Sequence, residues 1–261
     1  MKVISSKDNS LIKLISKLKI KKHRLKENKF VVEGLRFVEE ALNSNFTVNS
    51  IIMSNNFKEK WEQNAFDRKV CDGRKVYLVN DTVFNDISNT KNPQGIMAIV
   101  ENRTIDEGIK YGFYILADKI QDPGNLGTII RTAHASGASG VIVTKGTVDI
   151  YNEKTLRSTM GSIFNIPVFE DLDLSLVNDL KSKGFKIVTS SLEADEDFYE
   201  LNLTDNIIIA VGNEGNGISK EVYELSDMIC KIPMPGNAES LNASVAAAVM
   251  MYEVVRQKIY N

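Results

Sequence analysis

With 261 residues, 43% apolar and 25% charged, the chain is long enough for one large domain or two modest ones and has the composition of an ordinary globular protein. No apolar run approaches the ~18 residues that a membrane helix needs. The Lys-rich N-terminus has neither the apolar core nor the small-residue cleavage site of a secretory signal, so a cytoplasmic protein is expected. A net charge of −2 excludes a uniformly basic nucleic-acid glove, so contact with nucleic acid has to come from a local patch.

Residues 8–22 predict a helix, because Leu11, Leu14, Ile15 and Leu18 fall on one stripe while Lys13, Lys17 and Lys21 follow another face at i+4 steps. Lys13, Lys17, Lys19, Lys21, Lys22, Arg24, Lys26 and Lys29 lie close together, opposed only by Glu27. Two readings fit this run, a phosphate-binding patch and a solvated helix face. A strand at Phe30-Val31-Val32-Glu33 ends at Gly34, and a helix is expected over 35–42. Strand, helix and strand follow at 48–53, 57–65 and 75–79. Asp81 is the expected N-cap of a helix reaching Ser88, and 95–100 reads as a strand. The polar stretch 101–108 breaks the pattern and sets a boundary, giving domains at 1–102 and 103–261.

The second domain alternates more clearly. Strands are expected at 113–116, 141–144, 167–169, 186–189, 207–211 and 228–232. Helices are expected to Ser136 with Gly137 at C′, over 153–160, 174–183 and 220–225, and from Leu241 to Ile259. In the last helix, Leu241, Val245, Val249 and Tyr252 form the expected apolar stripe. Strands alternating with helices predict an α/β fold with a mostly parallel sheet, and Ile207–Val211 reads as a strand buried on both faces.

Three glycine- and asparagine-rich segments sit where strands give way to helices or loops, the position of ligand sites in open α/β sheets. The first is Asp122-Pro123-Gly124-Asn125-Leu126-Gly127-Thr128-Ile129-Ile130-Arg131, where Asp122 or Asn125 caps the helix. The second is Gly212-Asn213-Glu214-Gly215-Asn216-Gly217, in which Glu214 either faces water or holds a polar group. It matches neither the dinucleotide fingerprint nor a P-loop. The third runs from Ile232 through Pro233, Met234, Pro235 and Gly236 to Ser240-Leu241-Asn242, where Ser240 or Asn242 caps the last helix. Cys71 and Cys230 read as reduced structural thiols, and no Cys/His spacing suggests a metal site. His134 is read as structural, with general-base chemistry as the alternative. Phe57, Trp61 and Phe66 are read as packing residues, with base stacking as the alternative.

Taken together, the three segments resemble the SpoU branch of the SPOUT superfamily, methyltransferases acting on a ribose 2′-hydroxyl in RNA. The first domain is similar to the RNA-binding domains of the ribosomal L30/L7Ae type. The resemblance implies a trefoil knot in the second domain, S-adenosylmethionine as methyl donor, rRNA as substrate with tRNA as the alternative, and a homodimer through the knotted domain; a catalytically silent RNA-binding or ribosome assembly factor on the same fold is the other reading. It places the cofactor against Thr189, Ser190, Gly212, Ile232, Met234, Leu241 and Asn242. It assigns chemistry to Arg131, Asn125, Glu214, Ser240 and Asn242, and RNA binding to Lys13, Lys17, Lys21, Lys22, Arg24 and Lys29. Because a guanidinium does not deprotonate near neutral pH, Arg131 is expected to stabilise the developing alkoxide rather than act as a base. Glu214 is expected to orient Arg131 or Asn125.

Overall fold

The computed structural model describes residues 1–63, 73–102, 108–191, 194–236 and 238–260, with backbone alone over 60–63. The expectations for the Trp61 side chain, Phe66 and Cys71 therefore lie outside the described residues. The chain forms two compact units, Met1–Arg103 with Tyr151–Glu153, and Thr104–Ile150 with Lys154–Asn261.

In the first unit, β1 (Lys2–Ile4), β2 (Lys29–Glu33), β3 (Val48–Ser54), β4 (Lys75–Val79) and β5 (Ile96–Glu101) make one sheet in the order β1-β4-β3-β5-β2. The β1-β4-β3 part is parallel, and β5 runs antiparallel to both β3 and β2. The helices are α1 (Ser10–Leu18), α2 (Lys21–Glu27), α3 (Leu35–Asn43), α4 (Asn55–Gln63) and α5 (Asp81–Ile87). Ile12, Ile15 and Leu18 of α1 pack with Val83, Phe84 and Ile87 of α5 onto Ile52, Val79, Met97 and Ile99.

Three expectations need correction here. The first helix ends at Leu18, because Ile20 turns to an extended conformation (φ −103°, ψ 128°), and a separate α2 begins at Lys21. Lys21 therefore does not continue the row of Lys13 and Lys17. Asn80, not Asp81, caps α5, its side chain accepting from the Val83 amide at 2.7 Å. The edge strand β1 was not anticipated; three residues with one buried side chain carry no readable period.

The second unit has β6 (Phe113–Ala117), β7 (Gly140–Thr144), β8 (Val168–Asp171), β9 (Lys186–Ser190), β10 (Ile207–Val211) and β11 (Met228–Cys230) in the order β11-β9-β10-β6-β7-β8. All of its pairings are parallel. Its helices are α6 (Pro123–Ala135), α7 (Glu153–Thr159), α8 (Ser175–Ser182), α9 (Lys220–Leu225) and α10 (Ala243–Tyr260). A parallel sheet needs crossovers that cover it with helices, which is why β6 and β10 are wholly buried. Val177 and Leu180 of α8 and Val222 of α9 pack on Leu116, Ile208 and Ala210, while α6 and α10 pack on β6, β10 and each other. The strand order reverses between β6 and β10, so the connections leaving Ala117 and Val211 open side by side at one edge.

The burial of α10 departs from expectation. Ala243, Ala247, Met250 and Val254 form the buried seam, whereas Val245 and Tyr252 are 47% and 51% exposed. The buried face is displaced by two positions, roughly 200° of helix rotation. Two buried polar side chains are satisfied in this packing. Gln257 donates to the Leu201 carbonyl at 2.9 Å and to Glu253 at 2.8 Å, and accepts from the Leu203 amide at 2.8 Å.

Candidate active site

The site is built from the ends of β6 and β10. Asp118, fully buried, accepts from the Thr144 hydroxyl at 2.8 Å and from the Ser219 amide at 2.6 Å, tying the β6–α6 connection to the loop after β10. Lys119 follows in the left-handed region (φ 54°). Its carbonyl accepts from Asn213 Nδ2 at 3.0 Å and Gln121 Nε2 at 3.2 Å. A non-glycine residue held there is a strained position of the kind that clusters at functional sites. Sequence reasoning passed over both residues, because an Asp-Lys pair at a strand end carries no signal of its own.

Asp122 caps α6, its carboxylate accepting from the Asn125 amide at 2.9 Å while pairing with Lys154 at 2.8 Å. That leaves the Asn125 side chain free to act elsewhere. Its Nδ2 donates to Glu214 Oε1 at 2.8 Å, and its Oδ1 accepts from Asn242 Nδ2 at 3.0 Å. Asn242 in turn caps α10, Oδ1 accepting from the Ser244 amide at 3.0 Å and the Ser244 hydroxyl at 2.7 Å. One asparagine thus joins all three segments. Burial raises the Glu214 carboxyl, but bonds from the Asn125 side chain and the backbone of Gln121 and Asp122 outweigh it and leave it below the ordinary carboxylate range. The ionised, hydrogen-bonded form is therefore present at neutral pH and is lost only as the pH falls through this lowered value.

The loop after β10 folds tightly on itself. Asn213 and Gly217 exchange two backbone hydrogen bonds of 2.9 Å, and Asn213 Oδ1 accepts from the amides of Gly215 and Asn216. Beside it lies a cleft of about 600 Å³. Of the expected cofactor residues, Ser190, Gly212, Ile232, Met234 and Leu241 line this cleft, as do the expected catalytic residues Glu214 and Ser240. Thr189 and Asn242 do not, Thr189 being fully buried with its hydroxyl bonded to Ser226 and Asn242 being turned to Asn125 and the start of α10. Tyr223 and Lys231 also line it and were missed, since neither sits in a glycine-rich segment. The backbone groups of Ile232 and Leu241 make no hydrogen bond among the described residues. Unpaired, half-buried backbone donors and acceptors beside apolar side chains suit the edge of a purine, so the cleft fits an adenosyl group.

Arg131 stands apart. Its side chain is exposed and makes no hydrogen bond or ion pair among the described residues. Six residues beyond Asn125, it lies about 120° round the helix from it. Glu214 thus engages Asn125 and not Arg131. His134 Nδ1 is 3.2 Å from the Ser162 hydroxyl, consistent with a structural role. In the first unit, Lys17, Lys21 and Lys22 are exposed, Lys29 is half-buried, Lys13 pairs with Asp8 at 2.9 Å, and Arg24 turns back onto α1.

Burial, reinforced by the nearby Glu196 charge, pushes the Cys230 thiol up to about 12. In the native protein Cys230 is expected to resist a thiol reagent at pH 8 and to react fully after denaturation, as a two-stage thiol titration would show.

The chain matches the SpoU rRNA Methylase family over residues 112–252 and the MRM3-like substrate binding domain over residues 9–98. It is 36% identical over 256 residues to the Bacillus subtilis 23S rRNA (guanosine(2553)-2′-O)-methyltransferase RlmP, covering 97% of this chain and 99% of that protein. The AdoMet-bound rRNA methyltransferase from Sinorhizobium meliloti superposes with a TM-score of 0.87 at 31% identity, over 100% of this chain and 99% of that one. The SpoU methyltransferase AviRb from Streptomyces viridochromogenes, in complex with AdoMet, gives 0.86 at 27% identity over 97% and 99%. With the family matched over more than half its length and a relative of this identity aligned end to end, the chain belongs to the SpoU rRNA methylase family of S-adenosylmethionine-dependent RNA 2′-O-methyltransferases.

Proposed function

We propose that this protein methylates a ribose 2′-hydroxyl in ribosomal RNA, within the 23S molecule on which its B. subtilis relative acts. The observation that carries the reading is the Asn242–Asn125–Glu214 chain at the rim of the cleft. Bound in that cleft, S-adenosylmethionine supplies an electrophilic sulfonium methyl group. The protein's own work is on the nucleophile. Ser240, Asn242 and Asn125 hold the ribose and fix its approach, where positioning is worth several kcal/mol. Ionised Glu214 holds Asn125 in a single orientation. Arg131, uncommitted to any described partner, meets the 2′-oxygen or the adjoining phosphate as negative charge develops, and water or phosphate takes the proton. Ser190, Gly212, Ile232, Met234 and Leu241 hold the cofactor directly. Thr189 supports them from within the sheet.

The substrate is presented by the first domain, residues 1–102, through the basic residues Lys13, Lys17, Lys21, Lys22, Arg24 and Lys29. The second domain, residues 103–261, is tied in the family's trefoil knot. This reading accords with the loops after β10 and β11 meeting at Asn125. The protein works in the cytoplasm; among the described residues no helix is long and apolar enough to cross a membrane. It acts as a homodimer through the outer face of α10, where Val245, Val249 and Tyr252 lie at i, i+4 and i+7. A second copy gives that exposed face an apolar partner. Tyr252→Glu is expected to halve the mass seen by sedimentation while leaving the helical signal of the protein intact.

The enzyme reading is tested by incubating the protein and labelled S-adenosylmethionine with RNA from cells lacking it, then mapping the modified ribose. Label at one 2′-hydroxyl of 23S rRNA is expected. Label confined to tRNA would replace the substrate, and cofactor binding without transfer to any RNA would replace the enzyme reading with an RNA-binding role.

A further inference from the structure

Helix α2 has no buried residue, although it contains Leu25, which is 62% exposed. A seven-residue helix is not stable by itself, and this one is held at two points. From its middle the Arg24 guanidinium donates to the carbonyls of Leu18 and Lys19, both at 2.8 Å, closing the C-terminus of α1. At its C-terminal end, Asn28 adopts a left-handed turn (φ 51°), exchanging 2.8 Å and 3.2 Å hydrogen bonds with Asn102. The helix is therefore fixed in place without a buried side chain. Lys21, Leu25, Lys22 and Lys26 share one arc of about 140°, with Arg24 on the opposite side. All four are exposed.

We propose that this face of α2 is an RNA-docking surface, with Lys21, Lys22 and Lys26 on consecutive phosphates, Leu25 against ribose or an unstacked base, and Arg24 as the positioning residue that seats the helix. This rests on the enzyme reading above and deepens it: it moves Arg24 from the set of phosphate ligands to the fold and adds Lys26 and Leu25 to the contact. Charge selects the occupant, since three ammonium groups around one isobutyl group complement a ribose–phosphate backbone. Size points the same way. The helix is about 10 Å long, too small for the roughly 800 Å² per partner of a stable protein interface, whereas phosphate contacts act singly.

The test uses the full chain, a 23S rRNA transcript and bulk tRNA as probes, and measures binding across a salt series. Each lost phosphate contact flattens the dependence of log K on log salt by about 0.7–0.9. Lys21→Ala/Lys22→Ala/Lys26→Ala is expected to flatten it by about 2–3, with S-adenosylmethionine affinity as the control for folding. Arg24→Lys keeps the charge but not the forked geometry, and is expected to bind RNA as poorly as Arg24→Ala. An unchanged slope in the triple variant, or full RNA affinity in Arg24→Lys, overturns the inference while the enzyme reading stands. A wild-type chain that binds neither RNA overturns both.

Discussion

Arg131→Ala is expected to lower kcat for RNA methylation by about 100- to 1,000-fold, the effect of removing one donor that stabilises a developing oxyanion, while S-adenosylmethionine binds as before. The two effects separate because Arg131 is not among the cleft-lining residues and holds no described neighbour in place. Its removal leaves the Asn242–Asn125–Glu214 chain intact. A guanidinium keeps its proton in proteins, which makes it a poor proton acceptor and a good electrostatic partner. Arg131→Lys therefore recovers part of the rate, because a point charge remains while the planar fork is lost. Single-turnover methylation with saturating cofactor reads the chemical step directly. Wild-type rates in the alanine variant would remove Arg131 from the chemistry.

How far this site was legible in the sequence depends on whether the information was local. Ile207–Val211 read as a strand because five apolar residues meet a glycine, and Gly137 read as a helix end because it is followed by no further helical period; it has a φ of 72°. The cap of α6 was narrowed to Asp122 or Asn125, and the geometry chooses Asp122, which is what frees Asn125. Where α1 stops was not legible, since Ile20 is neither glycine nor proline and its extended backbone has no local cause. The face of α10 was misread for a different reason. Apolar residues surround that helix, so its period has no phase, and the choice between Val245 and Ala247 is made by the surface α6 presents. Strand order is wholly non-local. The adjacency of β6 and β10, which brings Glu214 to Asn125, follows from pairing across some ninety residues of chain. The three segments were recognisable one by one; of the hydrogen bonds that join them, Glu214 to Asn125 was anticipated only as one of two alternatives, and Asn125 to Asn242 was not anticipated.

Gly212→Ala is expected to cost most of the cofactor affinity. A Cβ there would lie 2.2 Å from the Gly217 carbonyl carbon and 2.4 Å from both the Gly217 oxygen and the Ile218 nitrogen. These are backbone atoms, and Gly217 is pinned by its paired bonds with Asn213, so no side chain can swing away to make room. The loop must move, and overpacking of this kind costs about 1–3 kcal/mol. Gly212 lines the cleft, so the displacement appears as weaker binding of S-adenosylmethionine as well as a lower Tm. Gly215→Ala is the internal control. It lies in the same loop, but its Cβ would approach nothing closer than Asn213 Oδ1 at 3.7 Å, an ordinary contact. Calorimetric titration of both variants with S-adenosylmethionine is therefore expected to separate them, although they differ by only three positions. Equal and undiminished binding by Gly212→Ala would show that this loop is not a wall of the cofactor cleft. Binding lost in Gly212→Ala and retained in Arg131→Ala would assign the cofactor to the β10 loop and the nucleophile to the face of α6.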